Sequence, residues 1–383
     1  MIVSTGRDRG ALAAARSLRR SGWMVGVGTP DGGGMLGASR AVDARHIVPR
    51  PRGSGAGFIA GVNQAAAAGR YDVVFGGGDD WMAALSTYQS SISTSIAHPE
   101  SEAVHAALDK MDLTKRARKA GLSAPHTESA TDQAMAAWRG PVVVKCRAHW
   151  SDGQTRPLRI EARLFADIAS ARSQIDLIRD AGAQPVMQEP VRGGLSALIG
   201  IFHDGRLNGR VQQVSPRLWP TPNGASARAT TVPVDDELAS RAETLLTDLG
   251  WWGLVELQFL TGDDGRAQLI DLNGRFFGSM ALSNTARPGL ADAWGRLALG
   301  DPLPHLQDAP AGFKYAWLAG DIRRAGRERR GGLINDAAET LRWSRTAHHS
   351  VWDPRDPGPI WNLASSRLRR KAPAADESSA PPV

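Results

Sequence analysis

Glu256, Asp271 and Asn273 carry side-chain oxygens and lie in two short runs, residues 254–260 and 267–273, that alternate apolar and polar character. Two carboxylates brought side by side repel unless a cation lies between them. Oxygen-only ligation with few protein groups suits Mg²⁺ (or Mn²⁺), which completes its shell with water and substrate phosphates. Arg275 follows two residues after Asn273 and can face negative charge that a metal leaves unneutralised. Lys145 closes the run Val142-Val143-Val144, and burying its stem requires an anionic partner for its ammonium.

The elements that would position the three oxygens are two strands of a hairpin. The residues between them, Thr261-Gly262-Asp263-Asp264-Gly265-Arg266, have turn character. Val255, Leu257 and Phe259 then share one face, and Glu256 and Gln258 the other. A turn centred on Asp263-Asp264 sets Glu256 opposite Asp271. A slip of two places sets it opposite Asn273 and keeps the same faces together. A slip of one would put Ile270 and Leu272 beside the carboxylates. The competing reading is an ordinary hairpin with a solvated polar face.

The 383 residues suffice for two or three domains. Hydrophobic content of 42% and charged content of 22% are those of a globular protein. The single cysteine, Cys146, excludes a disulfide framework and a cysteine zinc site and fits a reducing cytoplasm. The chain opens on a strand-like MIVSTG rather than a signal peptide, and no run reaches the length of a membrane span. The net charge of +7 permits nucleic-acid contact. Its arginines are dispersed, however, with no aromatic–basic motif, so an anionic small substrate explains the excess and no nucleic acid is expected.

The first residues read as a βαβ unit: a strand at 2–5, a helix at 11–20 and a strand at 23–27. Gly6 and Gly10 flank the first turn without forming a dinucleotide fingerprint. A buried strand at 71–75 ends in Gly76-Gly77-Gly78-Asp79-Asp80, where Asp79 either faces a site at the strand ends or caps the next helix. Residues 99–121 read as one helix, 141–145 as a strand, 148–156 as a polar loop, 164–181 as a helix and 184–188 as a strand. Two strands flank the turn His203-Asp204-Gly205, and a helix spans 238–249. Beyond residue 300 the pattern weakens. The basic run at 321–330 reads as a solvated helix face. The Ala/Pro/Ser-rich stretch 371–383 reads as a disordered tail.

Glu256 followed by Asp271-Leu272-Asn273-Gly274-Arg275 resembles the metal-binding end of the ATP-grasp superfamily, with Asp271 where a glutamate is usual. The run Asn273-Gly274-Arg275-Phe276-Phe277-Gly278-Ser279 resembles that of its carboxylate–amine ligase-like members, related to carbamoyl-phosphate synthase and D-alanine ligase types, with Gly274 replacing proline. This resemblance covers residues 1 to about 300. It implies an α/β protein of ATP-grasp fold: a parallel pre-grasp domain at 1–105, and an ATP-grasp domain at 106–300 whose small lobe spans about 125–190, the two lobes clasping ATP. A C-terminal extension would occupy 301–370. It also implies that Lys110 and Lys145 reach the α- and β-phosphates and that Gln188, Glu189 and Val191 line the adenine. Glu256, Asp271 and Asn273 would hold Mg²⁺, and Arg275 would stabilise the transferring phosphoryl group. Arg210, Arg217 and Ser226 fall at acceptor-side positions. The implied activity phosphorylates a small-molecule carboxylate and joins the acyl group to an amine, releasing ADP and phosphate. A non-catalytic ATP-binding regulatory module on the same fold is the alternative, and a homodimer is compatible with either.

Overall fold

The computed structural model describes residues 1–155, 160–222, 224–262 and 265–371. The turn centre Asp263-Asp264, loop residue Asn223 and the tail beyond Lys371 lie outside the described residues.

Three sheets organise the chain. The first contains β1 (Ile2–Val3), β2 (Gly26–Thr29), β3 (Ala44–Ile47), β4 (Val73–Gly76) and β5 (Ser95–Ile96), in the order β3-β2-β1-β4-β5. All its pairings are parallel. Its central strands are apolar and buried throughout, as a sheet covered on both faces requires. The order reverses between β1 and β4, so the segments leaving those two strands flank a crevice at the sheet's carboxyl edge. The strand expected at 23–27 begins at Gly26 instead. Trp23 is drawn aside by its indole Nε1, which donates to Asp292 Oδ1 at 2.6 Å. Gly10 lets the first helix (Arg9–Arg20) approach the chain after the hairpin: a Cβ there would meet the Phe277 carbonyl oxygen at 2.3 Å.

The second sheet has β6 (Thr127–Ser129), β7 (Val142–Cys146), β8 (Arg163–Phe165) and β9 (Pro185–Gln188), ordered β6-β9-β7-β8 and antiparallel. The helix expected from 164 starts only at Ile168. Arg163–Phe165 pairs with β7 first, and Asp167 caps the helix by accepting the Ser170 N–H.

The third and largest sheet comprises β10 (Gly194–His203), β11 (Arg206–Trp219), β12 (Ala225–Val232), β13 (Gly253–Thr261), β14 (Ala267–Asn273), β15 (Lys314–Ala316) and β16 (His348–His349). Its order is β14-β13-β10-β11-β12-β15-β16. The segment beyond residue 300, where the sequence pattern weakens, therefore adds two strands to this sheet's far edge. On one face Leu198, Val255, Leu257 and Phe259 pack against the helix Asp236–Asp248 through Ala242, Leu245 and Leu246. On the other, Ile199, Ile201 and Leu254 pack with Leu12, Phe276 and Trp294.

Two expectations are corrected by side-chain hydrogen bonding. Residues 99–121 form two helices, Ser101–Leu108 and Lys110–Lys119, because Asp109 is extended and caps the second by accepting the N–H groups of Met111 and Asp112. The basic run at 321–330 is not merely a solvated face. Arg324, on the helix Leu318–Glu328, is fully buried and bonded to Asp321, Glu328 and Asp336.

Candidate active site

The hairpin register decides which of the oxygen-bearing side chains share a face. Glu256 pairs with Asn273 and Gln258 with Asp271, with an irregularity before Phe259↔Leu269. This is the two-place alternative, and it keeps Glu256, Asp271 and Asn273 on one face. Asn273 Nδ2 donates to Glu256 Oε2 at 2.8 Å, and Gln258 Nε2 donates to the same oxygen at 3.0 Å. Ser279 Oγ lies 3.5 Å from Glu256 Oε1, and Gln213 Nε2 in turn donates to Ser279 Oγ at 2.8 Å. Glu256 is buried, and burial pushes its carboxyl up to about 7 against the opposing pull of Arg275, Asn273 and Gln258. A cation at this face would restore its charge. Gly274 is required locally, since a Cβ there would lie 2.1 Å from the Trp251 ring.

Lys110, buried at the start of its helix, forms an ion pair with Asp271. The break at Asp109 makes this reach possible. Lys110 N–H also donates to the Arg147 carbonyl at 3.0 Å, tying the helix start to the end of β7. Lys145 Nζ donates to Gln188 Oε1 at 2.9 Å, and Gln188 Nε2 to Thr127 Oγ1 at 2.7 Å. Desolvation lowers the Lys145 ammonium to about 7; Lys110 adds to the shift and Asp271 opposes it. An anionic ligand between the two lysines would reverse this. Gln188 thus presents its side chain to Lys145. The Glu189 N–H is engaged by the His126 carbonyl at 2.9 Å, and Val191 follows on the partly buried link into β10.

Arg275 extends the site to the first sheet. Its Nε donates to Asp79 Oδ1 at 2.8 Å, and Asp79 Oδ2 lies 3.6 Å from His149 Nδ1. Burial alone would raise the Asp79 carboxyl and lower the Arg275 guanidinium. Their mutual attraction, with His149 adding to it at Asp79, holds both in their charged forms. Asp79 is the first residue of the helix Asp79–Thr87 and does not cap it: the N-cap is Gly78, without a side-chain cap hydrogen bond, and the Asp79 carboxylate turns to Arg275 and His149 instead. His149 carried no signal in the sequence: one histidine in a polar loop has no spacing to mark it.

The acceptor-side residues separate. Arg210 is bonded to Asp308 at 2.6 Å and to Asp236 at 2.9 Å, away from the hairpin face. Arg217, beyond the β11 irregularity, lies 3.8 Å from Glu339 and pairs in register with Arg228. Ser226 Oγ is 2.7 Å from Ser215 Oγ, two residues along β11 from Gln213.

Among the described residues no three His, Cys, Asp or Glu side chains converge as a ready cation cage. Two carboxylates and an amide form a partial oxygen set, which suits an ion that keeps substrate oxygens in its shell. Glu256, Asp271 and Asn273 can hold such an ion, and Lys110 and Lys145 can meet phosphate oxygens. No described helix is long and apolar enough to cross a membrane.

No protein-family model and no curated protein matches the sequence. Solved structures do match in fold. The L-amino acid ligase from Bacillus licheniformis superposes with a TM-score of 0.60 at 14% identity, covering 78% of this chain and 73% of that one. The biotin carboxylase of Campylobacter jejuni, complexed with a β,γ-ATP ligand, gives 0.63 at 15% identity, covering 82% and 74%. The biotin carboxylase domain dimer of Hydrogenobacter thermophilus 2-oxoglutarate carboxylase, with MgADP, ADP and bicarbonate, gives 0.60 at 10% identity, covering 80% and 71%. The chain has the ATP-grasp fold.

Proposed function

We propose that this protein is an ATP- and Mg²⁺-dependent carboxylate–amine ligase that forms ADP and phosphate. The observation that carries the reading is the gathering of Glu256, Asp271 and Asn273 on one sheet face, with Lys110 bonded to that cluster and Lys145 beside it. The ATP-grasp fold shared with an L-amino acid ligase and with nucleotide-bound carboxylases supports it. Magnesium, when bound, draws charge from the phosphate oxygens and orients the γ-phosphoryl group.

The chain's own groups do the rest. Lys110 and Lys145 bind the phosphates as compact charges. Gln188, whose side chain holds Lys145, with the Glu189 carbonyl and the Val191 backbone, lines the adenine side. Arg275, kept charged by Asp79, lies against the transferring group. A carboxylate oxygen of the acid substrate attacks the γ-phosphorus and the bond to ADP breaks. The acyl phosphate then loses phosphate to an attacking amine. Phosphorylation supplies the leaving group that a bare carboxylate lacks, so positioning and charge suffice without a nucleophilic side chain. Ser226 and Arg217 remain candidates on the acceptor side. Arg210 would have to leave two carboxylates to join them. Small-molecule substrates, a cytoplasmic setting and a homodimer complete the reading.

The test is a panel of amino and other carboxylic acids, each paired with amines, read by ADP and phosphate release. Turnover that needs both substrates and Mg²⁺, and is lost in Glu256→Gln, is the expected result. Full activity in that variant would move the site elsewhere.

A further inference from the structure

We propose that His149 is the base that takes a proton from the attacking amine, an assignment that rests on the ligase reading above. An amine reaches the site mainly as its ammonium form, which has no lone pair for attack. One proton must leave before the nitrogen bonds to the acyl carbon.

His149 is held where that proton leaves. The residues that follow it in the loop are pinned to the segment 51–88. Trp150 is buried, donates through Nε1 to the Pro51 carbonyl at 3.0 Å and packs edge-on against Tyr88 at 6.2 Å. Gly53 N–H donates to the Gln154 carbonyl at 2.9 Å, and Tyr88 donates its hydroxyl to Asp152. The anchoring leaves the His149 side chain about a quarter exposed (28%), with Nδ1 3.6 Å from Asp79 Oδ2. The other Asp79 oxygen carries Arg275. Asp79 therefore lies between the imidazole and the arginine assigned to the transferring group. In the neutral tautomer that carries its proton on Nδ1, the nitrogen nearer Asp79, Nε2 is the bare acceptor. Other charged or titratable groups near this junction are Asp80 with Arg50 at 4.0 Å, Asp8 nearby, Asp152 on the same loop, Arg147 paired with Asp109, and His105 packed on the Trp150 ring.

The step balances. Nε2 takes one proton from the ammonium. The freed lone pair attacks the acyl carbon and the bond to phosphate oxygen breaks. The second nitrogen proton departs with phosphate, and the imidazolium releases its proton to solvent. His149 is a catalytic residue in this account, and Asp79 a positioning residue.

Hydroxylamine separates this role from the rest, since it is largely uncharged near neutral pH and needs no base to attack an acyl phosphate. Wild type and His149→Asn are compared with the L-amino acids as acid donors, once with hydroxylamine and once with amino acids as the amine. The expected result is an amide rate lowered about 10²-fold in the variant at pH 7, the scale of general base catalysis. Hydroxamate formation should stay within about twofold. The amide deficit should narrow as pH rises and more free amine is supplied by solution. Equal loss of both products would overturn the base role and leave His149 as a loop anchor. An unchanged amide rate would overturn it too. No hydroxamate from wild type with any donor would overturn the ligase reading itself, and this proposal with it.

Discussion

Arg275 Nε and Asp79 Oδ1 are 2.8 Å apart across 196 residues of chain. This contact fastens the hairpin of the largest sheet to the carboxyl edge of the parallel sheet. Both side chains are largely withdrawn from water, and removing one charge strands the other. Breaking a partly buried pair of this kind costs roughly 3 kcal/mol. Asp79→Asn should therefore lower the unfolding midpoint in denaturant and depress turnover at the same time. An unchanged midpoint would show that the pair contributes nothing net.

Glu256→Gln tests, without a large packing change, whether the face shared by Glu256, Asp271 and Asn273 holds a cation. Burial already pushes the Glu256 carboxyl up to about 7, so a neutral amide of the same shape is tolerated by the surrounding Asn273 and Gln258. Thermal melts should show wild type stabilised by ATP with Mg²⁺ and returned to its starting midpoint by EDTA. The variant should melt near the wild-type apo temperature and gain little from Mg·ATP. Equal ligand-induced shifts in both proteins would count against Glu256 as a ligand.

Lys110→Met removes a cation that already neutralises Asp271. Apparent affinity for ATP should fall at least tenfold, because a phosphate contact is lost and an acid is left unpaired beside the triphosphate. Titration of a fluorescent ATP analogue reads this directly. An affinity within twofold of wild type would remove Lys110 from the nucleotide site.

His98 sets a pH dependence of stability. It is buried and accepts the Gly76 N–H at Nε2 at 2.7 Å. Burial lowers its pKa to about 3, from 6.5 in the unfolded chain. Between those values the unfolded state binds the extra proton, so stability is full above about pH 6.5 and is lost as pH falls toward 3. His98→Asn should flatten the slope of unfolding free energy over that window. Parallel pH profiles for the two proteins would refute this.

Arg324 should matter for folding and not for chemistry. It is fully buried and bonded to Asp321 at 2.7 Å, Glu328 at 3.0 Å and Asp336 at 2.6 Å, and Asp321 also accepts from Arg228. Arg324→Met leaves these acids uncompensated, and a loss of about 3–5 kcal/mol is expected from chemical denaturation. A loss under about 1 kcal/mol would mean that water replaces the arginine in the variant.

That Glu256, Asp271 and Asn273 share one face was legible in the sequence because period-two alternation fixes which side chains lie together, whichever even-step register the hairpin takes. Lys145 was legible for a similar reason: three valines before it make the strand and force the question of its partner. The break at Asp109 was not, since an aspartate within a good helical run also reads as an exposed interior residue. The C-terminal strands were hidden because Lys314–Ala316 and His348–His349 are too short to carry a periodic pattern. Arg210 and Arg217 look alike in the sequence, yet each is drawn to acids contributed by distant segments, Asp236 and Asp308 in one case and Glu339 in the other.

By itself the sequence determined the local grammar: alternating strands, the order of the charged residues along the chain and the identity of the oxygen donors, all set by side-chain geometry within a few residues. Tertiary structure alone decided which charges meet. Asp79 faces Arg275 and His149, and Lys110 faces Asp271, because strand pairing and buried packing bring together groups far apart along the chain. Desolvation there makes each opposite charge a requirement, and no pattern of neighbours in sequence encodes that distance.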